Sequence, residues 1–243
     1  MRLEIFFKAD KPIPLPIDYN HIVQSMLYHN ISPELAVLLH DQGFQYGGRK
    51  FKLFTFSKIM GEYRFAEAAR EIVFSERFSL IVTSPLAEFC QQLGNYMMLQ
   101  EKVRLLKHFV KVEKLNITTT EIDEPRACFT TLSPITIYST FAKPGGGKYT
   151  CYFEPGEKEF VTQLEANLRK KYYLLYEKEA PAIPVCMDFQ GRPKRHIIKY
   201  KDFMIKGYSG KFTLHGPAEL LQLALEAGVG SKNSQGFGCL KLC

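Results

Sequence analysis

The sequence predicts an α+β protein built from two tandem ferredoxin-like (βαββαβ, RRM-like) halves. Three observations predict it. Short β-rich segments alternate with helical ones, their order repeats once, and a polar stretch around Pro125 divides the 243 residues near the middle. Hydrophobic residues make up 46% of the chain, enough to fill a core in each half.

In the first half, Leu3, Ile5 and Phe7 take alternate positions of a strand over 2–8. A proline-rich connector follows over 11–16. Ile22, Val23, Met26, Leu27 and Ile31 recur at helical spacing, with Asp18 or Asn20 as the cap. Ser32-Pro33-Glu34 opens a second helix with a capping hydroxyl, a proline at the first position and an acid in the first turn. Leu35, Leu38 and Leu39 form its buried face, and Gly43 ends it. Strands are expected over 51–57 and, as one or two segments, over 72–83. Ser84-Pro85 starts a helix running to about Met98, with Leu86, Phe89, Cys90 and Leu93 inward, and 103–114 is again strand-like.

The second half repeats the plan. Residues 128–138 alternate as a strand. Phe160, Leu164, Leu168 and Tyr172 fall four apart on a helix over 157–176, where Arg169-Lys170-Lys171 reads as the wet face. Strands over 185–216 are broken at Gly191-Arg192-Pro193 and at 207–210. Pro217 begins a helix ending at Ala227, and 238–242 is the last strand. The join near 118–126 gives domains 1–122 and 123–243.

Charge points to the partner. Lys and Arg exceed Asp and Glu by 32 to 25, a net +7, which suits a polyanion because each neutralised phosphate releases counterions. Arg192, Lys194, Arg195, Lys199, Lys201 and Lys206 gather in the second half, with His196 and Tyr200 interleaved. Residues 192–196 read as a hairpin tip that grips an RNA backbone or, equally, as a solvated basic hairpin. Lys143 and Lys148 flank a second glycine-rich tip. The N-terminus lacks the apolar core of a signal peptide, and no apolar run is long enough to span a bilayer. The six cysteines form no C-x-x-C pair and have no zinc spacing. The expectation is a cytoplasmic protein with reduced thiols, no membrane contact and no cofactor. D-x-D, H-x-H and H-E-x-x-H metal motifs are missing, which disfavours a metal nuclease.

One segment stands out: Gly228-Val229-Gly230, five polar residues, then Gly236-Phe237-Gly238. It does not match G-x-x-x-x-G-K-[ST], and Asn233 stands where a dinucleotide fingerprint needs glycine. A helix precedes it and a strand follows, the reverse of nucleotide loops. Its two readings are a flexible connector and a shaped loop whose N–H groups meet phosphate oxygens, and the paired glycine units favour the second. Gly228, Gly230, Lys232, Asn233, Ser234, Gly236 and Gly238 are then candidate RNA contacts, with Arg192, Lys194, Arg195 and Lys199.

This segment resembles the C-terminal signature of the CRISPR-associated endoribonucleases that cut precursor repeat RNA, the Cas six family of the RAMP proteins. The resemblance covers nearly the whole chain. It includes the opening strand, Asp18-Tyr19-Asn20-His21, Lys52-Leu53-Phe54-Thr55-Phe56-Ser57, Thr131-Leu132-Ser133-Pro134-Ile135 and Lys232-Asn233-Ser234. It implies two ferredoxin-like domains, CRISPR repeat RNA as partner, and metal-independent cleavage. In that reaction the 2′-hydroxyl attacks its own phosphate, leaving 2′,3′-cyclic phosphate and 5′-hydroxyl ends. It further implies Tyr28 and His40 as base and acid in some order, and Lys52 stabilising the phosphorane. The spacer from Tyr28 to His40 is short and that from His40 to Lys52 long, so His29 is the rival histidine. The alternative function is a non-cleaving scaffold on CRISPR RNA. Effector-complex subunits or a second copy of the chain are further partners on this reading.

Overall fold

The computed structural model describes residues 1–200 and 203–243. Its first half contains β1 (Arg2–Lys8), β2 (Ile13–Pro16), α1 (Asn20–His29), α2 (Pro33–Val37) and a π-helical turn (Leu38–Gln42). It continues with β3 (Phe44–Tyr46), β4 (Arg49–Phe51), β5 (Thr55–Phe56), β6 (Met60–Ala66), β7 (Glu71–Thr83), α3 (Ala87–Leu99), β8 (Val103–Leu105) and β9 (His108–Thr118). The second half contains β10 (Arg126–Thr131), β11 (Tyr138–Ala142), β12 (Lys148–Tyr152), α4 (Lys158–Tyr176), β13 (Cys186–Tyr200), β14 (Phe203–His215), α5 (Ala218–Ala227) and β15 (Leu240–Leu242).

The protein is α+β, with two sheet-rich halves. In the first, β1 lies between β9 and β7, and β5 and β6 pair with β7, all antiparallel. In the second, the order is β15-β10-β14-β13, again antiparallel. The two sheets therefore share one strand order. Each half buries its own core. Leu3, Ile5 and Phe7 of β1 meet Val23, Leu27, Phe89 and Leu93 from the helices. Phe129 and Phe212 meet Leu164, Leu168, Leu220 and Ala224. Full burial of each such side chain contributes about 1.5–3 kcal/mol.

Several expectations change. The proline-rich connector is an edge strand: Ile13 and Leu15 point inward, while Pro14 and Pro16 alternate with them. An edge position tolerates the missing proline N–H groups. Neither Asp18 nor Asn20 caps α1, whereas Ser32 Oγ does accept from Leu35 N (3.3 Å) at α2. β6, with Tyr63 and Phe65 exposed among charges, carries no clear alternation. Residues 192–196 are not a hairpin tip. They lie within β13, beside a register shift between Gln190 and Lys194, and β13 pairs with β14 on both sides of it. Lys201 lies outside the described residues. Nor do residues 207–210 break β14: Gly207 is there because a Cβ would stand 3.1 Å from Ile135 O on the neighbouring segment. The thiols are not all reduced. The Cys243 N–H donates to Cys128 O (3.1 Å), and the two side chains form a disulfide, with Cα atoms 5.5 Å apart. Among the described residues no helix is long and apolar enough to cross a membrane.

Candidate active site

Tyr28 ends the buried stripe of α1. Its ring meets Phe54 edge-on (centroids 5.7 Å), which fixes it against the core, and meets the His40 ring edge-on at 5.2 Å. Its hydroxyl is buried without a hydrogen-bond partner, and burial raises its pKa above the ordinary tyrosine value. The π-helical turn after α2 widens the backbone where His40 projects, and wide turns of this kind often mark functional positions. The His40 side chain is 66% exposed, and its Nδ1–H donates to Asp41 Oδ1 (2.6 Å). Nε2 is thereby left to face a ligand. The same hydrogen bond holds the Asp41 carboxyl below its usual range.

The long spacer from His40 to Lys52 folds into a hairpin. Phe44 pairs with Phe51 and Tyr46 with Arg49. Gly47 and Gly48, at φ 53° and 74°, make the two-residue turn that needs left-handed backbone. Gly43 then lets the strand pass under the π turn, since a Cβ there would stand 3.0 Å from Phe51 O and 3.2 Å from Lys52 Nζ. Lys52 Nζ donates to His40 O, and Lys50 Nζ donates to Asp41 O (2.6 Å). Burial, then the charge of Lys50, lowers the Lys52 pKa. The fold thus brings Tyr28, His40 and Lys52 together. It does not bring His29, whose Nδ1–H donates to Ser25 O (2.7 Å) and which lines a separate groove.

Lys52 also lines a cleft of about 490 Å³ between the halves. Arg49, Lys50 and Lys52 enter it from the first half, and Lys148, Lys171 and Lys232 from the second. Among the described residues no Asp or Glu lines it. A cation-walled hollow of this kind concentrates polyanions.

The glycine segment forms the far wall, though its glycines do not face the cleft as expected. Gly228, Gly230, Gly236 and Gly238 are buried at φ 70–82°. A Cβ would stand 2.6 Å from Thr136 O at Gly230, 2.5 Å from Phe56 at Gly236 and 2.0 Å from Val229 O at Gly238. They permit close packing, much of it against the first half. Asn20 Nδ2 donates to Gln235 O (2.9 Å), and Thr55 Oγ1 donates to Phe237 O (2.9 Å). Residues 231–235 are what reaches the cleft. Lys232 Nζ lies 5.2 Å from the Tyr138 ring centroid. The Asn233 amide is committed within the loop, donating to Val229 O and Phe237 O (both 3.0 Å).

Lys171 corrects the reading of 169–171 as a wet face. It is 2% exposed, and its Nζ donates to Gly228 O (2.7 Å), Asn233 Oδ1 (2.8 Å) and Ala227 O (3.4 Å). Burial lowers its pKa to about 7, while these oxygens at the C-terminal end of α5 favour the ammonium. Its spacing was the available signal, because position 171 falls three after Leu168 on the buried stripe. Arg192, Lys194, Arg195 and Lys199 lie along β13 and do not line the cleft. Burial, with the charges of Lys58 and Lys194, holds His196 down at about 4.

Two family models match the chain: CRISPR-associated protein Cas6, N-terminal, over 14–116, and CRISPR associated protein Cas6, C-terminal, over 114–242. The CRISPR-associated endoribonuclease Cas6 1 of Methanocaldococcus jannaschii is 27% identical, covering 98% of this chain and 91% of the relative. The CRISPR-associated endoribonuclease Cas6 of Pyrococcus furiosus is also 27% identical, over 96% of this chain and 85% of the relative. A solved structure described as CRISPR associated protein Cas6 superposes with a TM-score of 0.79 at 25% identity, over 100% of this chain and 99% of that one.

Proposed function

The chain belongs to the CRISPR-associated Cas6 family, and from that premise we propose that it is a metal-independent endoribonuclease that cuts CRISPR repeat RNA. The observation that carries this is that Tyr28 and His40 meet beside Lys52, which lines a cleft with five other cations and, among the described residues, no carboxylate. The halves 1–122 and 123–243 act as two ferredoxin-like domains. Their shared antiparallel strand order supports that division, as does the changeover of the two family models near 114–116.

The roles follow from protonation. Tyr28 is a phenol at neutral pH and burial raises its pKa further, so once its hydroxyl opens toward the RNA it donates to the departing 5′-oxygen rather than accepting a proton. His40, with Nδ1–H held by Asp41, takes the 2′-hydroxyl proton at Nε2. The 2′-oxygen bonds to phosphorus, the bond to the 5′-oxygen breaks, and Lys52 offsets the charge gathering on the phosphoryl oxygens. Lys232 and its neighbours over 231–235 hold the backbone from the opposite wall.

The test is incubation of the protein with repeat RNA in EDTA, with a 2′-deoxy substitution at the cut site as control. Cleavage of the RNA to a cyclic phosphate, and none of the deoxy substrate, is expected. Tight binding without cleavage of either strand would overturn the reading and leave a scaffold in its place.

A further inference from the structure

Lys171 lines the cleft, yet it is too deep to meet a phosphate itself. It is 2% exposed, and its three N–H groups have three acceptors, Ala227 O, Gly228 O and Asn233 Oδ1. All three are neutral oxygens, so none of these partners offsets the burial of its charge with a charge of its own. A methionine would fill a similar volume. What the ammonium adds is a grip on oxygens from two places in the chain, the end of α5 and the middle of the glycine segment.

Asn233 carries that grip onward. With Oδ1 turned to Lys171, its Nδ2 donates to Val229 O and Phe237 O (both 3.0 Å), one from each G-φ-G unit. The preceding residue, Lys232, has φ 61° and ψ 30°. A residue with a Cβ keeps such left-handed backbone only where its surroundings fix it, and strain of this kind gathers at binding sites. Here the fixing contacts are the Asn233 side chain and the Gln235 N–H, which donates to Lys232 O (2.9 Å). The result stands at the cleft: Lys232 Nζ lies 5.2 Å from the Tyr138 ring centroid, and both residues line the hollow. Without the brace, Lys232 is free to relax toward right-handed backbone, which turns its side chain off the ring.

We propose that Lys171 is a positioning residue: acting through Asn233, it holds Lys232 on the cleft wall in the direction that meets an RNA phosphate. The phosphate rests on the repeat-RNA reading above; the tie from Lys171 to Lys232 does not.

The experiment is a double-mutant cycle on the whole chain, Lys171→Met, Lys232→Ala and the pair, read as repeat-RNA affinity across a range of salt. Near-UV circular dichroism checks that each variant is folded. If Lys171→Met is not, Asn233→Ala takes its place, since it cuts the same tie and keeps the Lys171 charge. Each single variant is expected to weaken RNA about tenfold and to lower the slope of log affinity against log salt by about one. The pair is expected to add no more than about twofold, because both changes remove one phosphate contact. Losses that multiply to about 100-fold, with the slope down by about two, make Lys171 a separate cation and overturn the proposal. So does unchanged RNA affinity in a folded Lys171→Met, which leaves Lys171 a purely structural residue. Proton NMR reads the tie without RNA. The Lys232 ε-methylene, beside the Tyr138 ring, is expected to show an upfield ring-current shift in the wild type, assigned by its loss in Tyr138→Leu, and to lose it in Lys171→Met. A shift retained in folded Lys171→Met overturns the proposal. A wild type that binds no repeat RNA, while Lys171→Met still loses the shift, sinks the RNA reading and leaves the tie from Lys171 to Lys232 standing.

Discussion

The two walls of the central cleft are built on opposite principles. The first half offers exposed, lightly held groups: His40 on a π turn, Lys50 and Lys52 on its backbone carbonyls, and a hairpin turned by open glycines. The second half offers a braced surface. Lys171 and Asn233 lock the loop from behind, and four buried glycines press it against its surroundings. On the proposed function, two sheets of one strand order take different tasks, reaction on one side and shape on the other.

Glycine substitutions give the sharpest contrast. Gly238→Ala combines left-handed backbone with a Cβ 2.0 Å from Val229 O, and is expected to cost about 3 kcal/mol or more in urea unfolding. Gly47→Ala in the opposite wall has the same sign of φ but nothing within 4 Å, and is expected to cost about 1 kcal/mol. Equal losses would break the comparison. Lys52→Ala tests the reactive wall from the other side. Cleavage is expected to fall about 100-fold with little change in unfolding midpoint.

Lys171→Met should do the reverse, losing about 1–3 kcal/mol of stability as Gly228 O and Asn233 Oδ1 lose their donor. The pH dependence has a fixed sign. The folded-state pKa, about 7, lies below the 10.5 of a solvated lysine, so between those pH values the unfolded chain holds more proton. The wild type's advantage over Lys171→Met should therefore grow as pH rises from 7 toward 10.5, read as the difference between two unfolding curves. The smallest effect belongs to a single cleft cation. Lys148→Ala should lower the slope of log affinity against log salt for RNA by about one, without sequence preference.

Much of the fold was legible because it follows period and punctuation. The stripes Leu3-Ile5-Phe7 and Phe160-Leu164-Leu168-Tyr172 are buried as their spacing requires, and Ser32 caps α2. What failed was position set by distant partners. Lys171 reads as one of three basic residues until α5 places carbonyls over it. Residues 191–196 carry a glycine and a proline, yet β13 absorbs them as an irregularity because β14 pairs on both sides. The cleft itself was half legible. Tyr28, His40 and Lys52 came from resemblance, and the hairpin at Gly47-Gly48 explains physically how an uneven spacing still converges. The glycine segment reads from sequence as a shaped loop that turns its N–H groups to phosphate, whereas its glycines are buried and set the contact distance to their neighbours.

The central claim is that the reacting histidine is His40 of the π turn and not His29 at the end of α1. Single-turnover cleavage of repeat RNA by His40→Ala and His29→Ala, at saturating protein, tests it most directly. The account predicts a loss of about 10²–10⁴-fold for His40→Ala, with RNA still bound, and a rate within about twofold of wild type for His29→Ala. Full activity in His40→Ala with its loss in His29→Ala would contradict it.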